Sequence, residues 1–326
     1  MNDTENIQKE RTAYFDNAKL FLIFLVVFGH LLEYLLKNRI LLAIYDFIYL
    51  FHIPAFVLIA GFFSKNTSTI WKKILKYSVF YFVFSFYYLL SFQTATPFLI
   101  NPYWVMWYLL SLISWNLLLK LFKHIKFAIP IAFLIGIAAG YINGIGNILA
   151  LSRTLVFFPF FLIGYYLNTD LFKIINIKTK IIAFLILTAI FYLVYFYQIS
   201  PEWLYGSLSY FKLGVSEWYA GTVRLYLYIL SALSCLCVLI LIPEKRFKIT
   251  KMGENTIYVY LLHGIFVILV SSLVVFQKFS VLTQLIISIC VSVLLIIILS
   301  SKPIKKTIDY IIEFLMDILI RCKSKH

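Results

Sequence analysis

The chain has 326 residues, of which 63% are hydrophobic and only 13% are charged. This composition excludes a soluble globular domain and predicts that the lipid bilayer surrounds most of the chain. The net charge of +15 does not indicate a nucleic-acid-binding protein, because the basic residues lie between apolar runs, in loops that alternate with basic-poor loops.

Long apolar runs recur along the chain, which predicts an all-α integral membrane protein with about ten transmembrane helices. No fixed-period repeat and no soluble domain interrupts them, so we expect residues 1–326 to form a single transmembrane domain. The run at 127–142 is short and contains glycine. The predicted spans lie near residues 17–36, 40–63, 74–93, 102–121, 127–142, 148–168, 180–198, 219–242, 255–276 and 281–300.

The charges between the spans predict the orientation of the chain. Because basic loops stay on the cytoplasmic side, both termini are expected there, with residues 1–15 as a cytoplasmic N-terminal segment. Residues 303–326 carry apolar side chains at helical spacing among charged ones, which predicts an amphipathic helix along the inner membrane surface. The four cysteines have neither disulfide-framework nor metal-site spacing, so no metal is expected.

Four ionisable side chains share one face of the first span. A helix turns about 100° and rises about 1.5 Å per residue, so Lys19 and His30 lie within roughly 20° of each other and about 16 Å apart along the axis. Asp16 and Glu33 extend this stripe, which is expected to face a bundle interior or a wet cavity. Gly29 is expected to admit a close neighbour. Alternatively, Asp16 and Lys19 pair at the interface and His30 is a packing residue.

Polar residues also interrupt the second span and open the third. His52 lies two residues before Pro54, which frees a backbone carbonyl, so His52 either lines a cavity or donates a hydrogen bond to that carbonyl. Lys72, Lys73 and Lys76 either follow the positive-inside bias alone or bind phosphate at a helix N-terminus.

The later spans carry five further candidates. Tyr108 belongs to an aromatic segment that is typical of an interfacial belt and is also able to stack on a sugar. Arg153 and Arg224 are basic residues in the predicted outer half, against the charge bias. Asn255 opens the ninth span, and His263 lies within it. Three intramembrane histidines indicate proton transfer, since imidazole gains and loses a proton near neutrality.

Five segments occur in a fixed order along the chain: DNAKLFLIFLVVFGH, FHIPAFVLIAGFF, YWVMWYLLSL, RTLVFFPFFLIGYYL and GENTIYVYLLHG. Together they resemble the acyltransferase 3 superfamily of integral membrane acyltransferases, and within it the fucose 4-O-acetylase-like branch. The resemblance extends from about Arg11 to the tenth span.

This resemblance implies transfer of an acyl group, usually acetyl from cytoplasmic acetyl-CoA, to a hydroxyl of a cell-surface glycan or its lipid-linked precursor. Acetyl-CoA is a substrate, and no permanently bound cofactor is implied. The family pattern of a basic residue, ten intervening residues and a histidine matches Lys19 and His30. A basic pair near the third span matches Lys73 and Lys76, although arginine is common there and lysine lacks its bidentate phosphate contact.

In this interpretation His30 is the general base for the acceptor hydroxyl. Arg153, Tyr108 or Asn255 stabilises the oxyanion, and the lysine cluster holds the CoA phosphates. Direct transfer and an acyl-histidine intermediate both remain open. The catalytic candidates are His30, Lys19 and Asp16, and the remaining substrate-binding candidates are Lys72, Lys73, Lys76, His52, Arg224 and His263.

Two other classes of protein are compatible with intramembrane histidines. The first is a transporter or flippase for a lipid-linked glycan with a histidine proton relay, although the sequence has no pseudo-symmetric halves. The second is a sensor or scaffold, which no soluble signalling domain supports. For the acyltransferase we expect a multi-pass protein of a bacterial plasma membrane, with acetyl-CoA, a glycan acceptor and membrane lipids as partners. The sequence leaves homo-oligomerisation open.

Overall fold

A computed structural model describes residues 2–92, 100–146, 148–168, 175–215, 217–272 and 278–323. Every regular element in these ranges is helical, which confirms the all-α class. The helices are α1 (Asn2–Leu32), α2 (Arg39–Phe62), α3 (Ile70–Phe92), α4 (Trp107–Phe122), α5 (Ala128–Ala139), α6 (Leu151–Tyr166), α7 (Ile177–Tyr197), α8 (Pro201–Tyr205), α9 (Ala220–Leu241), α10 (Thr256–Ser271), α11 (Val281–Leu299) and α12 (Lys302–Lys323).

Nine helical stretches in the described part of the chain are long and apolar enough to cross a membrane, which confirms a multi-pass membrane protein. They correspond to nine of the ten predicted runs. These stretches are Ala13–Leu35, Arg39–Phe62, Thr67–Phe92, Trp104–Phe122, Ile148–Tyr166, Ile177–Tyr197, Ala220–Leu241, Lys248–Ser271 and Val281–Leu299.

The remaining run, 127–142, contains the short helix α5. Its 12 residues cover about 18 Å, less than a hydrocarbon core of about 30 Å. The helix stops where the sequence becomes rich in glycine and asparagine, which favour turns. At Gly140 the ring of Tyr210 occupies the space that a Cβ would need.

The chain divides into two compact units. Unit 1 contains helix α1 with the predicted polar stripe, and unit 2 contains the lysine cluster of α3. Unit 1 comprises Met1–Ile59, Asn168–Leu204 and Leu227–Ile304, and unit 2 comprises Ala60–Leu167, Tyr205–Tyr226 and Lys305–His326.

In unit 1, α1 packs against α10, α11 and the 3₁₀ segment Lys248–Asn255. Gly253 lies on the backbone of Asp16, where an added Cβ would overlap the carbonyl oxygen. Further along, His263 of α10 stacks on His30 of α1. Helices α1 and α10 therefore run parallel to each other.

In unit 2, hydrogen bonds join buried faces of α4 and α6. The hydroxyls of Ser111 and Thr154 are 2.8 Å apart, and Nε1 of Trp115 donates to the carbonyl oxygen of Thr154 at 2.8 Å. All three side chains are buried. These bonds satisfy polar groups that have no water partner at this depth.

Helix α12 separates charged from apolar side chains, which confirms the predicted amphipathic tail. Ile308, Ile312 and Met316, each four residues apart, are buried within unit 2. Phe314 and Ile318 extend the apolar side and are exposed. The position of α12 along the inner membrane surface stays a prediction.

Candidate active site

The twelve predicted site residues divide equally between the two units. Unit 1 therefore contains the predicted base, and unit 2 contains the predicted phosphate-binding lysines and the outer arginines. Unit 1 contains Asp16, Lys19, His30, His52, Asn255 and His263, and unit 2 contains Lys72, Lys73, Lys76, Tyr108, Arg153 and Arg224.

The polar stripe of the first span lies on one uninterrupted helix. Lys19 Nζ and Asp16 Oδ1 form an ion pair at 2.8 Å, with side chains 21% and 11% exposed. This ion pair is the one expected if Asp16 and Lys19 pair with each other at the membrane interface. Helix α1 continues through His30, so Lys19 and His30 lie on the same side of it, about 16 Å apart along the axis.

His30 lies in the last turn of α1, with 16% of its side chain exposed. Its Nδ1 is 3.2 Å from Oε2 of Glu33 and 3.3 Å from the hydroxyl oxygen of Tyr49. Because a carboxylate only accepts hydrogen bonds, Nδ1 carries the hydrogen and Nε2 carries the lone pair. A carboxylate that fixes the ring and its tautomer in this way prepares an imidazole for general-base catalysis.

The structure brings the three intramembrane histidines together from α1, α2 and α10. The rings of His30 and His263 stack with centroids 5.4 Å apart and an interplanar angle of 28°. The ring of His52 meets that of Tyr49 edge-on at 4.6 Å. We call His30, Glu33, Tyr49, His52 and His263 the histidine cluster. In the described residues, no group of three or more His, Cys, Asp or Glu side chains is arranged to hold a metal.

His52 and His263 are almost completely buried, with 1% and 0% exposure. Nδ1 of His52 donates to the carbonyl oxygen of Ile48 at 2.8 Å, and Nδ1 of His263 donates to that of Tyr260 at 2.8 Å. Each ring therefore keeps a hydrogen on Nδ1 and is fixed by its own helix. These bonds leave the Nε2 side of each ring for contacts outside its own helix.

The hydrogen bond of His52 corrects one sequence expectation. Proline at position 54 removes the amide that would bond to the carbonyl of residue 50, four positions earlier. His52 instead bonds to the carbonyl of Ile48. The alternative in which His52 caps the carbonyl freed by Pro54 is therefore wrong.

Tyr49 is a site residue that the sequence analysis missed. A Cβ added to Gly29 would lie only 3.0 Å from the nearest ring atom of Tyr49. The absence of a side chain at Gly29 therefore allows the tyrosine to approach α1. This confirms the expectation that Gly29 admits a close neighbour. The available signal was the three-residue spacing of Tyr49 and His52, which places both on one face of α2.

Asp46 is a second missed residue. It is the only acidic residue of α2 and is 0% exposed. Neither carboxylate oxygen has a hydrogen-bond partner within the described part of the chain. An acid inside an apolar span is a functional candidate by default, so this signal was readable from sequence.

Asn17 is a third missed residue, one position after Asp16. Its Nδ2 donates to the carbonyl oxygens of Pro243 and Lys245 at 2.8 and 2.9 Å. Its Oδ1 accepts a hydrogen bond from the hydroxyl of Thr250 at 2.6 Å. Asn17 thereby holds the segment 243–250 against the middle of α1.

Asn255, a predicted oxyanion donor, has a structural contact. Its Nδ2 donates to the carbonyl oxygen of Ser300 at 2.8 Å. Its Oδ1 is buried and has no hydrogen-bond partner among the residues that the structure describes. An oxyanion contact from this amide would require Nδ2 to leave Ser300.

The lysine cluster occupies the first turns of α3 in unit 2. Lys72 and Lys76 are exposed, while Lys73 is half-buried. Nζ of Lys73 donates to the carbonyl oxygen of Phe63 at 2.6 Å. The patch therefore combines two exposed ammonium groups with one that is tied to the backbone before the helix.

The outer candidates of unit 2 rest against aromatic rings. The guanidinium of Arg153 lies over the ring of Trp107, 4.9 Å from its centroid. Tyr108, the next residue of α4 after Trp107, is half-buried. Arg224 is 4% exposed and hydrogen-bonds Tyr210. Burial raises the pKa of Tyr210 above its usual range, and the charge of Arg224 opposes that rise.

Comparison with known protein families gives a match that covers most of the chain. A family model described as an acyltransferase domain matches residues 12–301. This region contains the whole α1 stripe and every member of the histidine cluster. No curated protein and no solved structure matches the chain.

Proposed function

The chain belongs to the acyltransferase 3 family of membrane acyltransferases, and from this membership we propose that it is an O-acetyltransferase of the bacterial cell envelope. In this proposal acetyl-CoA is the donor, consumed as a substrate. The acceptor is a hydroxyl group of a cell-surface or lipid-linked polysaccharide. The resemblance of five segments to the fucose 4-O-acetylase-like branch supports a sugar acceptor.

The contact of His30 with Glu33 carries the proposal. A sugar hydroxyl is a weak nucleophile and needs a base within hydrogen-bond reach. With Nδ1 turned to Glu33 and Tyr49, the lone pair of His30 is on Nε2, where it can accept the hydroxyl proton. The adjacent carboxylate then stabilises the imidazolium that forms.

Proton and bond changes balance in a direct transfer. His30 Nε2 takes the hydroxyl proton as the sugar oxygen bonds to the thioester carbonyl carbon, which gives a tetrahedral oxyanion. The carbon–sulfur bond then breaks, the acetyl ester is released, and the leaving CoA sulfur takes the proton from His30. Arg153 and Tyr108 remain the oxyanion donors proposed from the sequence. Asn255 is not retained, because its Nδ2 is bonded to Ser300 and its neighbour Gly253 packs at Asp16, at the other end of the stripe from His30.

Lys19 and Asp16 are assigned to donor binding and not to proton transfer. Lys19 lies about 16 Å and Asp16 about 21 Å from His30 along α1, so neither side chain reaches an atom that reacts at His30. Within unit 1 the proposed phosphate contact is Lys19. Within unit 2 the proposed contacts are the lysine cluster of α3, where exposed ammonium groups attract phosphate. His52, His263 and Arg224 complete the proposed substrate-binding set.

The proposed function is tested with the purified protein in lipid vesicles and labelled acetyl-CoA. We expect CoA release and ester formation that depend on an added envelope glycan, with NMR of the glycan locating the acetyl group. The proposal would be contradicted if CoA were released at the same rate with and without the acceptor. It would also be contradicted if no envelope fraction supported any CoA release.

The histidine cluster also favours a second candidate. Stacked intramembrane histidines fit a proton relay in a transporter or flippase for a lipid-linked glycan. That protein would move labelled glycan lipid across a vesicle membrane in response to a pH gradient and without acetyl-CoA. Glycan movement that needs no acetyl-CoA would favour the transporter, and acceptor-dependent CoA release would favour the acyltransferase.

A further inference from the structure

Unit 1 contains an apolar cavity that the proposed chemistry does not use. Its volume is about 670 Å³, within the range of about 300–1,000 Å³ that is usual for small-molecule sites. Helices α1, α2, α7, α9 and α11 line it, together with the segment that follows α9. On α1 its walls are Asn17, Leu20, Phe21 and Phe24.

The cavity and the polar stripe lie on different sides of α1. At about 100° per residue, the four cavity residues of α1 centre roughly 140° from the direction of Lys19 and His30. Phe21 on the cavity side is 40% exposed, so this side of α1 faces outward. The occupant of the cavity is therefore not the substrate that reacts at His30.

The lining accepts hydrocarbon and excludes polar ligands. Among the side chains that line the cavity, only Asn17 is polar. Its amide nitrogen and oxygen are already bonded to Pro243, Lys245 and Thr250. The amides of CoA would enter without hydrogen-bond partners, at a cost of several kcal/mol.

One edge of the cavity carries positive charge. Lys248 and Lys251 are exposed and alternate in sequence with the lining residues Phe247, Ile249 and Met252. The segment 244–254 has four basic and two acidic residues in all. Of the acids, Glu254 pairs with Arg246 at 3.1 Å, which leaves the lysines in excess.

We propose that this cavity holds an aliphatic chain of a resident anionic phospholipid, whose phosphate binds Lys248 and Lys251. Hydrocarbon fills the apolar walls, and the phosphate meets ammonium groups at the edge. The bound lipid covers α1 and the segment 243–252 on the side away from the histidine cluster. This site does not depend on the acyl-transfer proposal.

The test is native mass spectrometry of the purified protein after exchange into defined lipids. We expect one phosphatidylglycerol to stay bound, and phosphatidylcholine with the same chains to be retained about 10-fold less. The variant K248Q/K251Q should lower phosphatidylglycerol retention about 10- to 30-fold, since each lysine near a membrane surface contributes about 1 kcal/mol. The control K123Q/K126Q removes the same charge in unit 2 and should leave retention unchanged.

A second variant tests the cavity itself. Val293 and Ile297 line the cavity and are 44% and 49% exposed on α11, so phenylalanine at both positions fills the space without disturbing a packed core. We expect V293F/I297F to release both lipids. The proposal would be overturned if either V293F/I297F or K248Q/K251Q retained phosphatidylglycerol as well as the parent protein does. Displacement of the lipid by CoA would also overturn it.

Discussion

The imidazole rings of His30 and His263 stack with centroids 5.4 Å apart, although one comes from the stretch Ala13–Leu35 and the other from the stretch Lys248–Ser271. The same two stretches also meet where Gly253 lies on the backbone of Asp16. These two contacts bring together DNAKLFLIFLVVFGH and GENTIYVYLLHG, two of the segments that carry the family resemblance and that are far apart in the sequence. The orientation of His30 therefore depends on helix α10 as well as on its own helix.

Replacement of His30 should remove the base. For His30→Ala we expect acetyl transfer to fall about 10²- to 10⁴-fold, the usual contribution of a positioned general base, while the protein still inserts into membranes. Initial rates of CoA release measure the first effect and membrane fractionation the second. The control is His124→Ala, which removes an exposed imidazole between α4 and α5. Parent-level transfer in His30→Ala would exclude His30 as the base.

Glu33 is expected to act as a positioning residue through His30. Glu33→Gln keeps the shape but removes the charge that fixes the imidazole, so kcat should fall about 10-fold or more with KM for acetyl-CoA unchanged. Glu33→Asp should restore part of kcat, and Tyr49→Phe should lower kcat less than Glu33→Gln does. The control, Glu202→Gln, removes an exposed carboxylate. A rise in KM with constant kcat would instead indicate substrate binding by Glu33.

The lysine cluster should affect donor affinity alone. For Lys73→Ala/Lys76→Ala we expect KM for acetyl-CoA to rise about 10-fold, because charged hydrogen bonds to phosphate are lost, while kcat stays within about twofold. Lys73→Arg/Lys76→Arg should lower KM below that of the parent, since guanidinium binds phosphate through two bonds. Steady-state kinetics against acetyl-CoA separate these effects. An unchanged KM in the alanine variant would leave these lysines with only their positive-inside role.

The sequence carried the helical architecture and the polar stripe because both are local patterns. An apolar run of sufficient length predicts a span, and eleven residues bring Lys19 and His30 to the same side of any α-helix. The short helix α5 departs from the prediction, since its sequence turns to glycine and asparagine after 12 residues. Asp46 was also readable, as a single acid within α2.

Contacts between helices were not predictable in this way. Tyr49 reaches His30 only because Gly29 leaves space for its ring, and Asn17 acts on a segment from a distant part of the sequence. A single sequence gives the face on which a residue lies but not the helix that packs there. Asn255 shows the same limit, because its amide donates to Ser300.

The contact between Gly253 and Asp16 predicts a strong effect on stability. A Cβ at position 253 would overlap the carbonyl carbon and oxygen of Asp16, and backbone atoms at a helix–helix contact move little. We expect Gly253→Ala to destabilise the protein by about 3 kcal/mol or more, through separation of α1 from the segment that precedes α10. Gly214→Ala is the matched control, since Gly214 has φ of +80° and no atom lies within 4 Å of the position that its Cβ would take, so only backbone strain of about 1–2 kcal/mol applies. Thermal unfolding in detergent ranks the two variants. A smaller loss in Gly253→Ala than in Gly214→Ala would show that α1 does not pack closely on residue 253.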